Sequence, residues 1–208
     1  MSDSGNRQEE QLTANYRSYY LKELPRLSGE IIYGEDYFLG KTSNYEGGIL
    51  ELEGLDSEGQ RYNRLAYYRG VARKIASRNP SSVLEVGCAV GYVVRELNQI
   101  GIPAQGVDIS PWAFVHRVSP RIFLASAASL PFTDKEFDLL FSHDFLEHIP
   151  LGELPGIFRE LERVACRNYH IISCGSLPDD RDITHVTMMP ISWWARQVPS
   201  GFEIELKD

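Results

Sequence analysis

The sequence predicts an α/β protein, a doubly wound and mainly parallel sheet preceded by an N-terminal helical, aromatic-rich lid, and three observations carry that reading. From Ser81 onward short apolar runs alternate with helical stretches. The first run enters a glycine-bearing turn, Gly87-Cys-Ala-Val-Gly91, that leads into a helix. Nine of the eleven tyrosines, Tyr16 to Tyr68, lie ahead of this alternation.

Taken in order, residues 1 to 6 are small and polar, and Gln8 to Leu24 carries Leu12, Tyr16, Tyr19, Tyr20 and Leu24 at helical spacing. Pro25 ends or bends that helix. Gly29 to Gly54 is rich in Gly, Asn, Ser and aromatics and reads as irregular, gripping structure. A helix over Ser57–Arg78 closes the region, so residues 1–79 form tail, helices and lid, and residues 80–208 form the sheet. Strands are expected at Val83–Val86, Ala104–Val107, Ile122–Ala125, Phe137–Ser142, Tyr169–Ser173 and Phe202–Leu206. Helices are expected at Tyr92–Ile100, Pro111–Arg117, Leu154–Ala165 and Ile191–Val198. In such a sheet the ligand crevice lies at the carboxyl ends of the strands.

Composition narrows the function. A chain of 208 residues with 43% hydrophobic and 24% charged residues builds one globular unit. Its net charge of -8 opposes phosphate backbones and anionic lipid surfaces, so neither nucleic acid nor membrane is an expected partner. Cys88, Cys166 and Cys174 form no C-x-x-C pair, which fits a reducing, cytoplasmic setting without a disulfide framework. The N-terminus has no apolar signal segment.

The most informative segment is Val83-Leu-Glu-Val-Gly-Cys-Ala-Val-Gly91. Gly87 and Gly91 let the backbone turn tightly and approach a ligand. A dinucleotide fingerprint would place glycine at 89 and a small residue at 92, where Ala89 and Tyr92 stand. That pattern disfavours a nicotinamide oxidoreductase. Glu85 at the strand end offers a carboxylate to the loop or to a cation, which suits S-adenosylmethionine with its sulfonium and ammonium groups. Asp108, ending the second strand, can accept hydrogen bonds from ribose hydroxyls, or can cap the helix that opens at Ser110-Pro111.

Residues Glu85 to Gly91, Asp108, Ala127-Ala-Ser-Leu-Pro-Phe132 and Phe137-Asp-Leu-Leu-Phe-Ser-His-Asp-Phe-Leu-Glu-His148 together resemble the ordered motifs of class I S-adenosylmethionine-dependent methyltransferases, over roughly residues 60 to 206. The resemblance implies a Rossmann-like methyltransferase fold and S-adenosylmethionine as cofactor. Carried over by position, the glycine loop (Glu85, Gly87, Cys88, Ala89, Gly91) holds the methionine part, and Asp108 and Ile109 take the ribose. Ser126 and Ala127 reach the adenine, and Ser142 and His143 close the strand beside the methyl group. Ala89 replaces the family's middle glycine, and Ser126 replaces the acidic residue usual at the adenine. The family's sheet usually includes a seventh strand between the fifth and sixth, which this sequence does not supply, so an exposed sheet edge and a homodimer are expected.

Methyl transfer is an in-line displacement that gains mainly from positioning, with a base needed where a hydroxyl acceptor must lose a proton. His148 and His185 are the candidate bases, with Asp182 placed to orient the latter. His143, Asp144, Glu147 and His148 cluster in sequence, but His-x4-His does not place both rings on one helix face, so no metal site is expected. Tyr37, Phe38 and Tyr45 either close over the sulfonium and wall the acceptor pocket or form a minor core. Arg69, Arg73, Lys74 and Arg78 read as a solvated basic face, and Trp193 and Trp194 as core or pocket residues. The expected activity is methyl transfer to an oxygen or nitrogen of a small molecule, such as a secondary metabolite or sugar derivative. The alternatives are a peptide or protein methyltransferase and a non-catalytic cofactor-binding partner subunit.

Overall fold

The computed structural model describes residues 32–43, 45, 48–55, 59–174, 182 and 184–207. The helix expected at Gln8–Leu24, the tail before it and the segment 175–181 lie outside the described residues. Within the irregular region a short helix, α1 (Glu35–Phe38), is followed by the antiparallel pair β1 (Glu53–Leu55) and β2 (Arg61–Asn63). The helix expected from Ser57 begins later, as α2 (Arg64–Ala76), because the Asn63 side chain accepts the Ala66 N–H at 2.7 Å and fixes the N-cap there.

The alternating half follows as β3 (Val83–Val86), α3 (Tyr92–Gln99), β4 (Ala104–Asp108), α4 (Pro111–Val115), β5 (Ile122–Leu124), β6 (Phe137–His143), α5 (Leu154–Val164), β7 (Ala165–Ser173), α6 (Ile191–Gln197) and β8 (Phe202–Lys207). Six strands form one sheet in the order β5-β4-β3-β6-β7-β8, with every neighbouring pair parallel. Chain order reverses between β3 and β6, so the carboxyl ends of these two strands open the crevice. β7 starts four residues earlier than its apolar run, because Ala165 pairs with Phe137 and is drawn into extended conformation directly from the end of α5.

All four residues of β3 are buried, as a strand covered on both faces must be. Leu84, Val86, Leu140, Leu161 and Trp194 pack on one face of the sheet, and Val83, Leu97, Phe141 and Tyr169 on the other. Trp194 is therefore a core residue, with Trp193 packed partly buried beside it. The basic stripe of α2 does not simply face water. Arg69 pairs with Glu96 at 3.0 Å, Lys74 with Glu205 at 2.7 Å, and Arg78 bonds Glu203 while its guanidinium lies 3.7 Å over the Tyr169 ring. These pairs lace α2 to α3 and to the edge strand β8, whose Glu203, Glu205 and Lys207 all find partners within the chain. No helix among the described residues is long and apolar enough to cross a membrane.

Candidate active site

The turn after β3 carries three residues with left-handed backbone, Gly87 (φ 73°), Ala89 (φ 48°) and Gly91 (φ 86°). A Cβ on Gly87 would sit 2.6 Å from Cδ2 of Phe145, and one on Gly91 would sit 2.5 Å from Cδ1 of Ile122, so both positions need glycine for space as well as for φ. Ala89 accepts the strained conformation because its N–H donates to Asp108 Oδ2 at 2.7 Å. Asp108 Oδ1 accepts the N–H of Ser110 at 2.9 Å. Capping of α4 falls to Ser110, whose Oγ accepts the Ala113 N–H at 3.0 Å. Asp108 instead pins the glycine loop to β4. Burial raises its carboxyl pKa, against the pull of these amide bonds.

Asp108 lines the larger of two cavities that meet at the loop, a space of about 260 Å³. Its lining takes Ile109, Ser126 and Ala127 from the segments that follow β4 and β5, and Asp144, His148 and Thr184 from those that follow β6 and β7. Ser126 Oγ accepts the Ala128 N–H at 3.2 Å, which shapes the 126–128 turn. Tyr33, Tyr37, Phe38 and Tyr45 also line the cavity. Tyr37 meets Tyr45 edge-on at 5.7 Å between centroids, and Phe38 stacks on Trp112 at 4.9 Å. The same residues pack on Val90, Tyr92 and Ala113, so the aromatic cluster is a minor core and a pocket wall at once.

A smaller cavity of about 160 Å³ shares Tyr45, Gly87, Ala89 and Asp144 with the larger one and adds Glu85, Cys88, Arg64, Tyr67 and His143. Glu85 is buried, its Oε2 has no hydrogen-bond partner, and burial pushes its pKa well above the usual carboxylate range. An unpaired buried carboxylate takes either a proton or a cation. Burial likewise pushes the Cys88 thiol up, so it lines the space as an apolar wall. His143 Nε2 contacts Tyr67 Oη, Asp144 Oδ2 at 3.1 Å and Lys207 Nζ at 3.2 Å. Burial alone would raise the Asp144 carboxyl, but His143 and Lys207, the latter at 2.7 Å, hold it well below its ordinary value. Ser142 lines neither cavity. It is fully buried and its hydroxyl meets His170 Nδ1 at 2.8 Å beneath the crevice.

The two candidate histidines come together although 37 positions separate them, with ring centroids 4.5 Å apart; His148 lines the larger cavity and His185 packs beside it without lining that cavity. His148 ends a 3₁₀ turn, Leu146–His148, that follows β6. Its Nδ1 lies 2.7 Å from Thr184 Oγ1, which donates to Asp182 Oδ1 at 2.6 Å. Because the threonine proton is committed to Asp182, Thr184 accepts from His148 Nδ1–H, and the ring lone pair falls on Nε2. Asp182 thus orients His148 through Thr184. Its other oxygen stays 3.9 Å from His185 Nε2, beyond hydrogen-bond reach of the partner the sequence suggested. Glu147 is fully buried behind His148, and burial together with the Asp144 carboxylate pushes it up to about 8. Glu147, His148 and His185 each present a ligand atom within 4.8 Å of the others. His143 and Asp144, neighbours of Glu147 and His148 in sequence, line the smaller cavity and are not part of this group.

Thr184, Tyr33 and Lys207 are site residues that sequence reasoning missed. Only Thr184 left a signal, since Asp-x-Thr is the pattern of a turn in which the carboxylate accepts both the N–H and the hydroxyl two residues on, here at 2.9 and 2.6 Å.

Residues 84–172 match the family model described as a methyltransferase domain. The chain is 32% identical over 126 residues to a malonyl-[acyl-carrier protein] O-methyltransferase of Halorhodospira halophila, covering 52% of this chain and 42% of that protein. It is 25% identical over 170 residues to norajmaline N-methyltransferase of Rauvolfia serpentina, covering 74% of this chain and 55% of the relative. The chain therefore spans between about two-fifths and just over half of the length of these two relatives. Among solved structures, a putative S-adenosyl-L-methionine-dependent methyltransferase of Methanococcus maripaludis aligns with a TM-score of 0.47 and 16% identity, covering 64% of each chain.

Proposed function

We propose, from the match of residues 84–172 to a methyltransferase-domain family model together with the cavity, that this chain uses S-adenosylmethionine to methylate a small molecule, with oxygen the preferred acceptor atom and nitrogen the second. The observation that carries the reading is the 260 Å³ cavity lined by both Asp108 and the oriented His148. The residues suit the cofactor. Glu85 Oε2 is an unpaired buried acceptor ready for an ammonium group, and the loop at Gly87 and Ala89 lets backbone form the cavity wall.

When bound, S-adenosylmethionine supplies a methyl group on a positively charged sulfur. Asp108 would receive the ribose hydroxyls, and Ile109, Ser126 and Ala127, which line the same cavity, would border the adenine. Glu85, which lines the smaller cavity, would face the ammonium. Tyr37 and Tyr45 present aromatic surface to a cation and exclude water, which favours an in-line displacement by holding its partners in a dry site. A hydroxyl acceptor gives up its proton at the His148 wall of the cavity, where Thr184 and Asp182 keep the His148 lone pair on Nε2.

The walled cavity favours a small acceptor over a peptide, which needs an open groove. Incubation of the chain with S-adenosylmethionine and a panel of phenols, hydroxy acids, sugars and amines, read by release of S-adenosylhomocysteine, tests the reading. Acceptor-dependent release that falls at least tenfold in His148→Asn supports it. Binding of the nucleoside without turnover across the panel, and with His148→Asn indistinguishable, favours the non-catalytic partner subunit instead.

A further inference from the structure

We infer that Glu147, His148 and His185 form a binding site for one divalent transition-metal ion at the His148 wall of the cavity. Their ligand atoms lie within 4.8 Å of one another. A tetrahedral ion about 2.1 Å from each would bring them to roughly 3.4 Å, a closure within reach of side-chain rotation. The donor set is two imidazoles and one carboxylate, which suits zinc, manganese or iron rather than the all-oxygen shells of magnesium and calcium.

A second observation points the same way. Glu147 is 0% exposed, and while its Oε1 accepts the Ser173 N–H at 3.1 Å, its Oε2 has no hydrogen-bond partner. A carboxylate oxygen left so in the interior costs stability unless a proton or a cation reaches it, and the two histidines beside it make a cation site of the place. The surroundings supply what metal ligands need. The Glu147 backbone carbonyl accepts the Thr187 N–H at 2.8 Å, tying the His185 segment to the His148 turn. Thr184 and Asp182 occupy His148 Nδ1 and direct its lone pair to Nε2, the outer-shell arrangement that orients a histidine ligand; with an ion bound that lone pair is coordinated, and His148 serves as a ligand in place of a base. Three protein ligands leave at least one coordination position, and His148 belongs to the cavity wall, so that position serves an oxygen donor of the acceptor. The site itself stands on the three side chains; its use by the acceptor rests on the methyl-transfer reading above.

The test uses the full chain, treated with a chelator and then titrated with Zn²⁺ by calorimetry and with Co²⁺ by visible absorption. The expected result is one equivalent of each ion, with d–d bands of low-symmetry nitrogen and oxygen coordination for Co²⁺. Affinity falls at least tenfold in Glu147→Gln, His148→Ala and His185→Ala, and is unchanged in His116→Ala, whose ring stacks on Trp112 away from the cluster. Glutamine at 147 retains the oxygen that accepts from Ser173, so this variant keeps the fold, which cooperative unfolding at the wild-type midpoint or above verifies. No stoichiometric uptake by chain that unfolds cooperatively, or uptake indifferent to all three substitutions, overturns the site. Metal uptake without S-adenosylhomocysteine binding leaves the site standing and removes the methyl-transfer reading. Methylation equally fast after chelation removes the role assigned to the ion at the acceptor.

Discussion

Replacing Asp108 by asparagine preserves size and removes one acceptor from a place where two are used. Oδ2 accepts the Ala89 N–H at 2.7 Å and Oδ1 accepts the Ser110 N–H at 2.9 Å, so an amide must turn its NH₂ toward one of these donors. The variant loses one charge-assisted hydrogen bond and leaves a buried N–H facing another donor, at a cost of about 1–3 kcal/mol. Relief of carboxylate burial, which is what raises the Asp108 pKa, offsets part of this. For a chain of this size the net loss lowers the unfolding midpoint by roughly 2–10 °C. The same substitution removes one charged acceptor for the ribose, worth about 1.5–3 kcal/mol, so S-adenosylhomocysteine binding weakens roughly 10- to 150-fold. Thermal unfolding and calorimetric titration of the two proteins measure both numbers. A variant that binds the nucleoside as tightly as the wild type would refute the assignment of Asp108, whatever its stability.

Three further outcomes follow from the same geometry. Gly87→Ala puts a side chain at φ 73° and drives Phe145 from its seat 2.6 Å away, so it costs about 1–2 kcal/mol in backbone strain alone and weakens nucleoside binding; wild-type stability and affinity would argue against the turn as described. His170 is fully buried and desolvation lowers it from 6.5 to about 3, so the unfolded chain takes up a proton near pH 6.5 that the folded chain refuses until about pH 3. Its contribution is complete above pH 6.5 and declines as pH falls toward 3, by about 1.4 kcal/mol between pH 7.5 and 5.5. Denaturant unfolding of His170→Asn, which still offers Ser142 a polar partner, is expected to lack that part of the pH dependence; identical slopes in the two proteins contradict it. Trp194→Ala empties the largest fully buried side chain in the core and costs about 3–5 kcal/mol by chemical denaturation, whereas Trp193→Ala costs clearly less; equal losses would contradict the placement of Trp194.

The sheet was legible because its signal is local. Val83-Leu-Glu-Val86 is a short, mostly apolar run bounded by polar residues and glycine, and the structure begins and ends the strand at those residues. The glycine loop was legible for the same reason, since φ above zero without room for a Cβ leaves few residue choices. What the sequence did not show arises from pairing at long range. Ala165 reads as the end of a helix until β6 draws it into extended conformation through Phe137. The basic residues of α2 look solvated until Glu203 and Glu205 arrive from more than a hundred positions away. The candidate site divides likewise. Asp108 could be placed from its position after β4, but its bond to Ala89 could not, because a loop and a strand end must first be side by side. His148 and His185 were each marked as candidates, yet their contact, and the exclusion of His143 from it, depends on how the loop after β7 returns over the crevice.

The measurement that tests the central claim most directly is a calorimetric titration of the chain with S-adenosylhomocysteine and, separately, with NAD. Saturable one-to-one binding of S-adenosylhomocysteine at micromolar concentration and no heat from NAD are expected, because Tyr92 heads α3 where a pyrophosphate site needs a small residue. Binding of NAD in place of the nucleoside, or silence from both, contradicts it.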